Sequence, residues 1–435
     1  VSKPLNEGQE AAAEAFFQFL FQPGKEFIIS GPGGVGKTYL MSALIDDIMP
    51  RYFKTCELMG IEPEYHTVHM TATTNKAAEV LAQGTGRPTS TVHSFLNLTV
   101  KDDFATGMSK ISKTDNWMVH ENIILFVDEC SMIDTPLRNV ILEGTHNCKI
   151  VYVGDHCQLA PIMEPISPIY RDNLPFFELT EQMRNADQPA LMAVCEQLRH
   201  TVETSEFYPI PVVPGVIDLL DDGDMEAMVD AVFMDPDHGS RLLAYTNSRV
   251  NDYNDHIRSV RLLPSSYTTG EKLINNNAIR FGKIMLSVEQ EVEIHSLGKI
   301  GKVSVGPDAE LEVVESVLKL RGGVLLPRVP LPVDREHYTS LVKYYQRRKD
   351  WGRYFALKNK YPDLRPRDSS TVHKAQGSTH ETVFIDLANI STCTHADQVA
   401  RMLYVAFSRA KHRVFLYGKL ADKFGGLLIP EAVWQ

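Results

Sequence analysis

Apolar positions in the first part of the chain switch between two periods. Residues 7–22 carry apolar side chains at helical spacing, and KEFIIS (25–30) follows as a short apolar run that predicts a buried strand. A glycine-rich turn and a helix from Lys37 to Met49 come next, so the local order is strand, loop, helix. HTVHMTA (66–72), NIILFVD (122–128) and KIVYVGD (149–155) are further β-branched runs that each end in polar residues, the pattern of parallel strands buried on both faces. RLLAYTN (241–247), HETVFIDLA (380–388) and KHRVFLYG (411–418) repeat that logic without close sequence similarity. The chain therefore predicts an α/β fold with two parallel sheets in tandem, whose ligands gather at the carboxyl ends of the strands.

Between Leu273 and Pro330 the period changes to short alternating strands such as KIMLSVEQEVEI and AELEVVESVLKL, with Gly282, Gly298, Gly301 and Gly306 at turns. This predicts a small, SH3-like β-barrel inserted into the second sheet domain. A shorter insertion, residues 97–118, predicts a hairpin. Residues 335–367 continue the larger insertion with ten Arg and Lys against three Asp and Glu, interleaved with Tyr338, Tyr344, Tyr345, Trp351, Tyr354, Phe355 and Tyr361. Two readings stand for this stretch: a local site for a polyanion, or a solvated basic helix whose aromatics face a core.

Composition narrows the class. With 435 residues, 43% hydrophobic and 23% charged, the chain has a globular composition and room for about two to four domains. A net charge of −11 argues against a protein that is basic all over, so a polyanion must be met by local clusters. The six cysteines are scattered with no C-x-x-C pair, which suggests reduced thiols rather than a zinc site or a disulfide framework. No apolar run is long enough for a bilayer span and no signal-peptide pattern opens the chain, so the expectation is a cytoplasmic protein without a membrane partner.

GPGGVGKT, Gly31 to Thr38, fits G-x-x-x-x-G-K-[ST] between a predicted strand and a helix. Its glycines let backbone N–H groups wrap phosphates, Lys37 reaches the β and γ phosphates of ATP, and Thr38 offers its hydroxyl to Mg²⁺. VDECSM (127–132) ends a strand with adjacent carboxylates: Asp128 suits hydrated Mg²⁺, and Glu129 suits polarising the attacking water, which points to hydrolysis. VGDHCQLAPI (153–162) places Gln158 where a strand leaves the sheet, a position from which an amide can sense the γ phosphate.

These residues fall in a known order. LNEGQ (5–9), the phosphate loop, TATTNKAA (71–78), STVHSFL (90–96), DECSM, GDHCQLAPI, LTEQMR (179–184), AYTNSRVNDYN (244–254), SSTVHKAQGST (369–379) and LYVAFSRAKHRV (403–414) together resemble the superfamily 1 helicases, in particular the 5′ to 3′ branch of RecD-like and phage Dda-like enzymes. The resemblance implies two RecA-like P-loop domains, 1–96 with 119–183 and 184–270 with 368–435. It sets residues 97–118 apart as a wedge and 271–367 as the barrel with its basic, aromatic arm. It implies a nucleotide site of Gln9, which meets the adenine edge, Gly31, Pro32, Gly33, Gly34, Val35, Gly36, Lys37, Thr38, Tyr39, Gln376 and Gly377, clamped between the domains. Catalysis falls to Lys37, Asp128, Glu129 and Gln158, with Arg184 and Arg409 reaching the transferring phosphate.

The resemblance also implies strand contacts by Thr73, Asn75, Lys76, Thr91, His93, Thr371, His373 and Lys374, made to phosphate and sugar without reading sequence. TTNKAA lacks a Pro common in such relatives, which leaves the contact at Thr74 open. The short spacing of 35 residues from His93 to Asp128 fits a small wedge, with Phe104 or Met108 as its tip, although a plain surface hairpin fits equally. The expected partners are single-stranded DNA, forked duplex and replication or single-strand-binding proteins, with the chain working as a monomer in replication or recombination. Two alternatives stay open: a translocase that strips proteins or acts on RNA, and a nucleotide-switched binding module.

Overall fold

The computed structural model describes residues 4–161, 164–181, 188–282, 284–307 and 309–430. Two compact units emerge. The first comprises residues 1–99, 113–219 and 375–435, and the second residues 100–112 and 220–374. The expected boundaries divide the chain otherwise: they put 184–270 and 368–435 in one domain and set 97–118 and 271–367 apart.

The first unit is built on a six-stranded sheet in the order Phe176–Glu178, Glu26–Ser30, Lys149–Gly154, Ile123–Asp128, Thr67–Ala72 and Thr89–Thr91. All its pairings are parallel. The two central strands, Ile123–Asp128 and Lys149–Gly154, are almost wholly buried, as continuous β-branched runs require when both faces are covered. Register aligns the strand ends: Ser30 lies opposite Gly154, and Ala72 opposite both Asp128 and Thr91. The residues that leave these strands therefore share one edge.

Helix Glu7–Phe21 packs Phe16, Phe19 and Leu20 onto this sheet against Ile29, Phe126, Val151 and Val153. Its start is fixed by a capping box between Asn6 and Gln9. The helix expected from Lys37 to Met49 is not uniform. Lys37–Ala43 is α-helical, Leu44–Ile48 widens into a π-helical turn, and Met49–Met59 resumes the α-helix. Pro50 explains the break, because it has no N–H for the bond to the carbonyl of residue 46. The same unit holds strands Ala410–Tyr417 and His380–Asp386, which pair in parallel.

The second unit holds the parallel pair Ser240–Ala244 and Ser369–Thr371. It also holds an antiparallel sheet in the order Leu325–Pro332, Ala309–Leu320, Glu291–Gly306, Lys272–Asn275 and Leu364–Pro366. Leu273, Val292, Ile294, Leu318, Val329 and Leu331 make its core. Helices Arg335–Arg347 and Trp351–Lys358 close a second cluster of Leu311, Val313, Tyr345, Tyr354, Phe355 and Tyr361. The aromatics of the basic stretch thus face a core; Tyr344 is the exception, half exposed on the outer side.

Strands Leu98–Asp103 and Met108–Lys113 form the expected hairpin, whose outer part belongs to this second unit. Phe104 meets Phe355 edge to face at 5.2 Å, and Asn359 donates to Asp102 at 2.7 Å. Gly107, at φ 72°, lies so close to Trp351 that an added Cβ would sit 2.3 Å from the indole. Among the described residues no helix is long and apolar enough to cross a membrane.

Phe126 is fully buried and lies 5.9 Å from the Phe16 ring. Phe126→Ala should cost about 3–5 kcal/mol in chemical denaturation. A loss under about 1 kcal/mol would mean that helix Glu7–Phe21 is not seated on the sheet through this residue.

Candidate functional site

Strand Glu26–Ser30 delivers the chain to the phosphate loop. Gly34 and Gly36 have φ 94° and 81°, a region that only glycine enters without strain. Gly31 is needed for a different reason: a Cβ there would lie 2.5 Å from the carbonyl oxygen of Leu179. Lys37 Nζ donates to the carbonyls of Gly31 at 2.6 Å and Pro32 at 2.9 Å, so the ammonium lies across the mouth of its own loop. Pro32, Gly33 and Thr38 are half-buried, Val35 is buried and Tyr39 is exposed.

Gln9 is 2% exposed, and its Nε2 donates to the Val35 carbonyl at 3.2 Å. A Cβ on Gly36 would lie 2.5 Å from that Nε2. The residue expected at the adenine edge is thus packed on the back of the phosphate loop while its Oε1 accepts from the Asn6 N–H at 3.2 Å.

Asp128 closes the central strand, and Glu129 follows at φ 55°. That left-handed turn lets the Glu129 N–H donate to Asp128 Oδ1 at 2.9 Å and keeps the two carboxyl groups adjacent. Burial and the neighbouring Glu129 raise the Asp128 carboxyl to about 7, against the opposing pull of Lys37. Glu129 Oε2 is buried without a hydrogen-bond partner among the described residues. A half-buried acidic pair with an unsatisfied oxygen, within the field of Lys37 from the phosphate loop, is a set of hard oxygen donors that fits Mg²⁺.

Gln158 is 4% exposed and its Oε1 likewise lacks a partner among the described residues. Gln376 donates to Ser131 Oγ at 3.0 Å, and a Cβ on Gly377 would come 3.7 Å from Glu129 Oε1. Residues 376–377 and 128–131 lie in the same compact unit, so the structure brings these separated blocks together. Arg409 is 5% exposed and donates to the carbonyls of Ser378 at 3.1 Å and Val405 at 3.2 Å. Arg184 lies outside the described residues.

Sequence reasoning missed the network beneath Gln158. Asp155 accepts from Arg199 at 2.6 Å, from the Tyr404 hydroxyl at 2.6 Å and from the Cys157 N–H at 3.1 Å. Burial opposes ionisation there, yet Arg199 and Lys37 hold Asp155 below the ordinary carboxylate range. Arg401 donates to the carbonyls of His156 at 2.7 Å and Gln158 at 2.8 Å. The available signal was an Asp just past the run IVYV (150–153), a position that needs a cationic partner somewhere in the chain.

The expected strand contacts of the first unit gather at the carboxyl ends of Thr67–Ala72 and Thr89–Thr91. Thr73 donates its N–H to the Asp128 carbonyl and its hydroxyl to the Glu129 carbonyl, both at 3.2 Å. Thr74 caps helix Asn75–Thr85 by accepting from the Ala77 N–H, and Thr91 caps Val92–Phe95. Asn75 is exposed, and Lys76 lies 3.9 Å from Glu79. Burial lowers the His93 imidazole, so it favours the neutral form.

In the second unit Thr371 ends its strand and is buried, and burial lowers His373 as well. Lys374 lies 3.9 Å from Glu289. Phe104 and Met108 are 61% and 58% exposed at the hairpin.

Comparison with known proteins agrees with this geometry. An AAA domain matches residues 4–208, and a UvrD-like helicase C-terminal domain matches residues 368–417. The ATP-dependent DNA helicase Dda of Enterobacteria phage T4 is 23% identical over 467 aligned positions, covering 94% of this chain and 98% of Dda. An uncharacterised protein of Acanthamoeba polyphaga mimivirus is 21% identical, covering 94% and 99%. Among solved structures, the Pif1 helicase from Bacteroides in complex with ADP-AlF3 and ssDNA superposes with a TM-score of 0.52 at 12% identity, covering 99% of this chain and 95% of that one. The parallel sheets, the phosphate loop and the strand-end acidic pair define a RecA-like P-loop ATPase. The chain is similar to Dda over almost its whole length, with an AAA domain followed by a UvrD-like helicase C-terminal domain, and its fold is like that of the Bacteroides Pif1 helicase.

Glu129→Gln should keep nucleotide binding and lower turnover by about 10²-fold or more, read as steady-state ATP hydrolysis beside nucleotide affinity. Undiminished turnover would remove Glu129 from the chemistry. Asp128 adds a pH dependence whose sign is fixed. Its folded carboxyl sits above the unfolded value of about 3.9, so its stabilising contribution is full below that value and is lost as pH rises through about 7. The unfolding midpoint of nucleotide-free protein should therefore fall between pH 5 and pH 8, and Asp128→Asn should flatten that fall; an unchanged slope would mean the pair is not strained.

Proposed function

We propose that the chain is an ATP-dependent DNA helicase that moves 5′ to 3′ on single-stranded DNA and opens duplex at forks. The observation that carries this reading is the Thr73 hydroxyl on the Glu129 carbonyl at 3.2 Å. A residue from a strand-facing block is thereby one hydrogen bond from the residue that activates water, so a bound strand and hydrolysis can influence each other directly.

Each residue has a task in this reading. Lys37 leaves the carbonyls of Gly31 and Pro32 for the incoming phosphates, which replace two neutral acceptors by charged ones. Thr38 and Asp128 would hold Mg²⁺, which supplies charge neutralisation across the phosphate oxygens when bound. Glu129 orients and deprotonates the attacking water with the carboxylate oxygen that has no partner among the described residues. Gln158 reads the γ phosphate, and Arg409 with Arg184 offsets the charge of the transferring group.

In our reading the RecA-like domains are 1–96 with 119–183 and 184–270 with 368–435, and the antiparallel insertion within 271–367 is an SH3-like barrel. The hairpin is the wedge. Opening a base-pair step costs about 1.4 kcal/mol, and a base stacked on an aromatic returns roughly 1–3 kcal/mol. An exposed Phe104 can therefore offset one step, and repeated ATP turnover makes the motion directional.

The test is ATP hydrolysis with and without single-stranded DNA and RNA. DNA stimulation of about tenfold or more supports the reading; stimulation by RNA alone would make the chain an RNA translocase, and none at all would leave a nucleotide-switched binding module. Gly107→Leu probes the wedge. By driving a side chain into Trp351 it should lower unwinding by roughly tenfold while strand-stimulated ATP turnover stays within about twofold. Equal losses in the two assays would sink the wedge assignment.

A further inference from the structure

Helix Ala396–Ser408 has nine consecutive buried residues, Val399 to Phe407, and Arg401 is the only charged one among them. Burying a guanidinium costs free energy unless acceptors surround it, so its partners show why the charge is there. Asp397, one turn back, meets its Nε at 3.2 Å but has a half-exposed side chain, a weak reason on its own. The close partners are two backbone carbonyls, His156 at 2.7 Å and Gln158 at 2.8 Å, both accepting from Nη1.

One nitrogen binding the carbonyls of residues i and i+2 fixes the curvature of the segment between them. One turn further along the same helix, the Tyr404 hydroxyl donates to Asp155 Oδ2 at 2.6 Å. Loop residues 155, 156 and 158 are thus held from one helix, while the Gln158 Oε1 is buried and without a partner among the described residues. The same helix ends at Ser408, directly before Arg409.

We infer that Arg401 is a positioning residue for hydrolysis: its guanidinium sets the backbone of 156–158 so that the Gln158 amide is held ready for the γ phosphate. Tyr404 is its second point of grip. Because Arg409 follows the helix that carries this grip, Gln158 and Arg409 are set by one rigid element and respond together. The inference rests on the reading of Gln158 proposed above.

A double-mutant cycle between Arg401→Met and Gln158→Ala tests it, with backbone hydrogen exchange of residues 155–160 as a readout independent of turnover. Arg401→Met should lower kcat by about tenfold with KM for ATP within about twofold. Exchange in 155–160 should speed up, and Arg401→Met should add less than about twofold once Gln158 is already Ala. Arg401→Lys, which keeps a cation but shortens the reach, should lie between and serves for the same cycle if the Met variant does not fold.

Additive losses, or unchanged exchange in the loop, would overturn the role given to Arg401 while leaving Gln158 in the site. If Gln158→Ala alone left turnover intact, the reading of Gln158 would fall and the inference with it.

Discussion

Two carboxylates side by side where an almost wholly buried strand ends are an unfavourable arrangement, and much of the first unit is organised around it. Asp128 is pushed up by burial and by Glu129, and Lys37 supplies the opposing field. A fold tolerates such a pair when a cationic ligand relieves it. The glycine-lined loop and the lysine laid on its own loop carbonyls lie within reach of such a ligand. Stability is given up at the place where charge develops during phosphate transfer.

The sheet register sets the candidate site residues along one edge. Ser30, Gly154, Asp128, Ala72 and Thr91 end at one level, so loops far apart in sequence open onto one edge. Thr73 then reaches the acidic pair by two hydrogen bonds, and Gln376 reaches the turn after it by one, to Ser131. These are short, directional links, of the kind that transmit a change of ligand without moving a large body.

The local parts of this site were legible in the sequence because they depend on residues next to one another. The strand runs, the phosphate loop and the Asp128–Glu129 pair each declare themselves within about ten residues. The π-helical turn at Leu44–Ile48 is not legible locally, because Pro50 is compatible with a helix that ends before it as well as with one that widens and continues. The aromatic stretch was ambiguous for a physical reason: Tyr345, Tyr354 and Tyr361 have the same composition whether they face a core or a ligand, and only the partners Leu311 and Val313, over 30 residues earlier, decide it. Tyr404 on Asp155 spans 249 residues, a pairing that no local pattern encodes.

Polarity is the property on which the motor reading makes its sharpest commitment, and fork unwinding measures it. Forks carrying either a 5′ or a 3′ single-stranded tail, matched in duplex, are incubated with ATP and Mg²⁺ and followed for strand separation. Separation confined to the 5′-tailed fork is the predicted result. Separation from the 3′ tail, or from both alike, would contradict it.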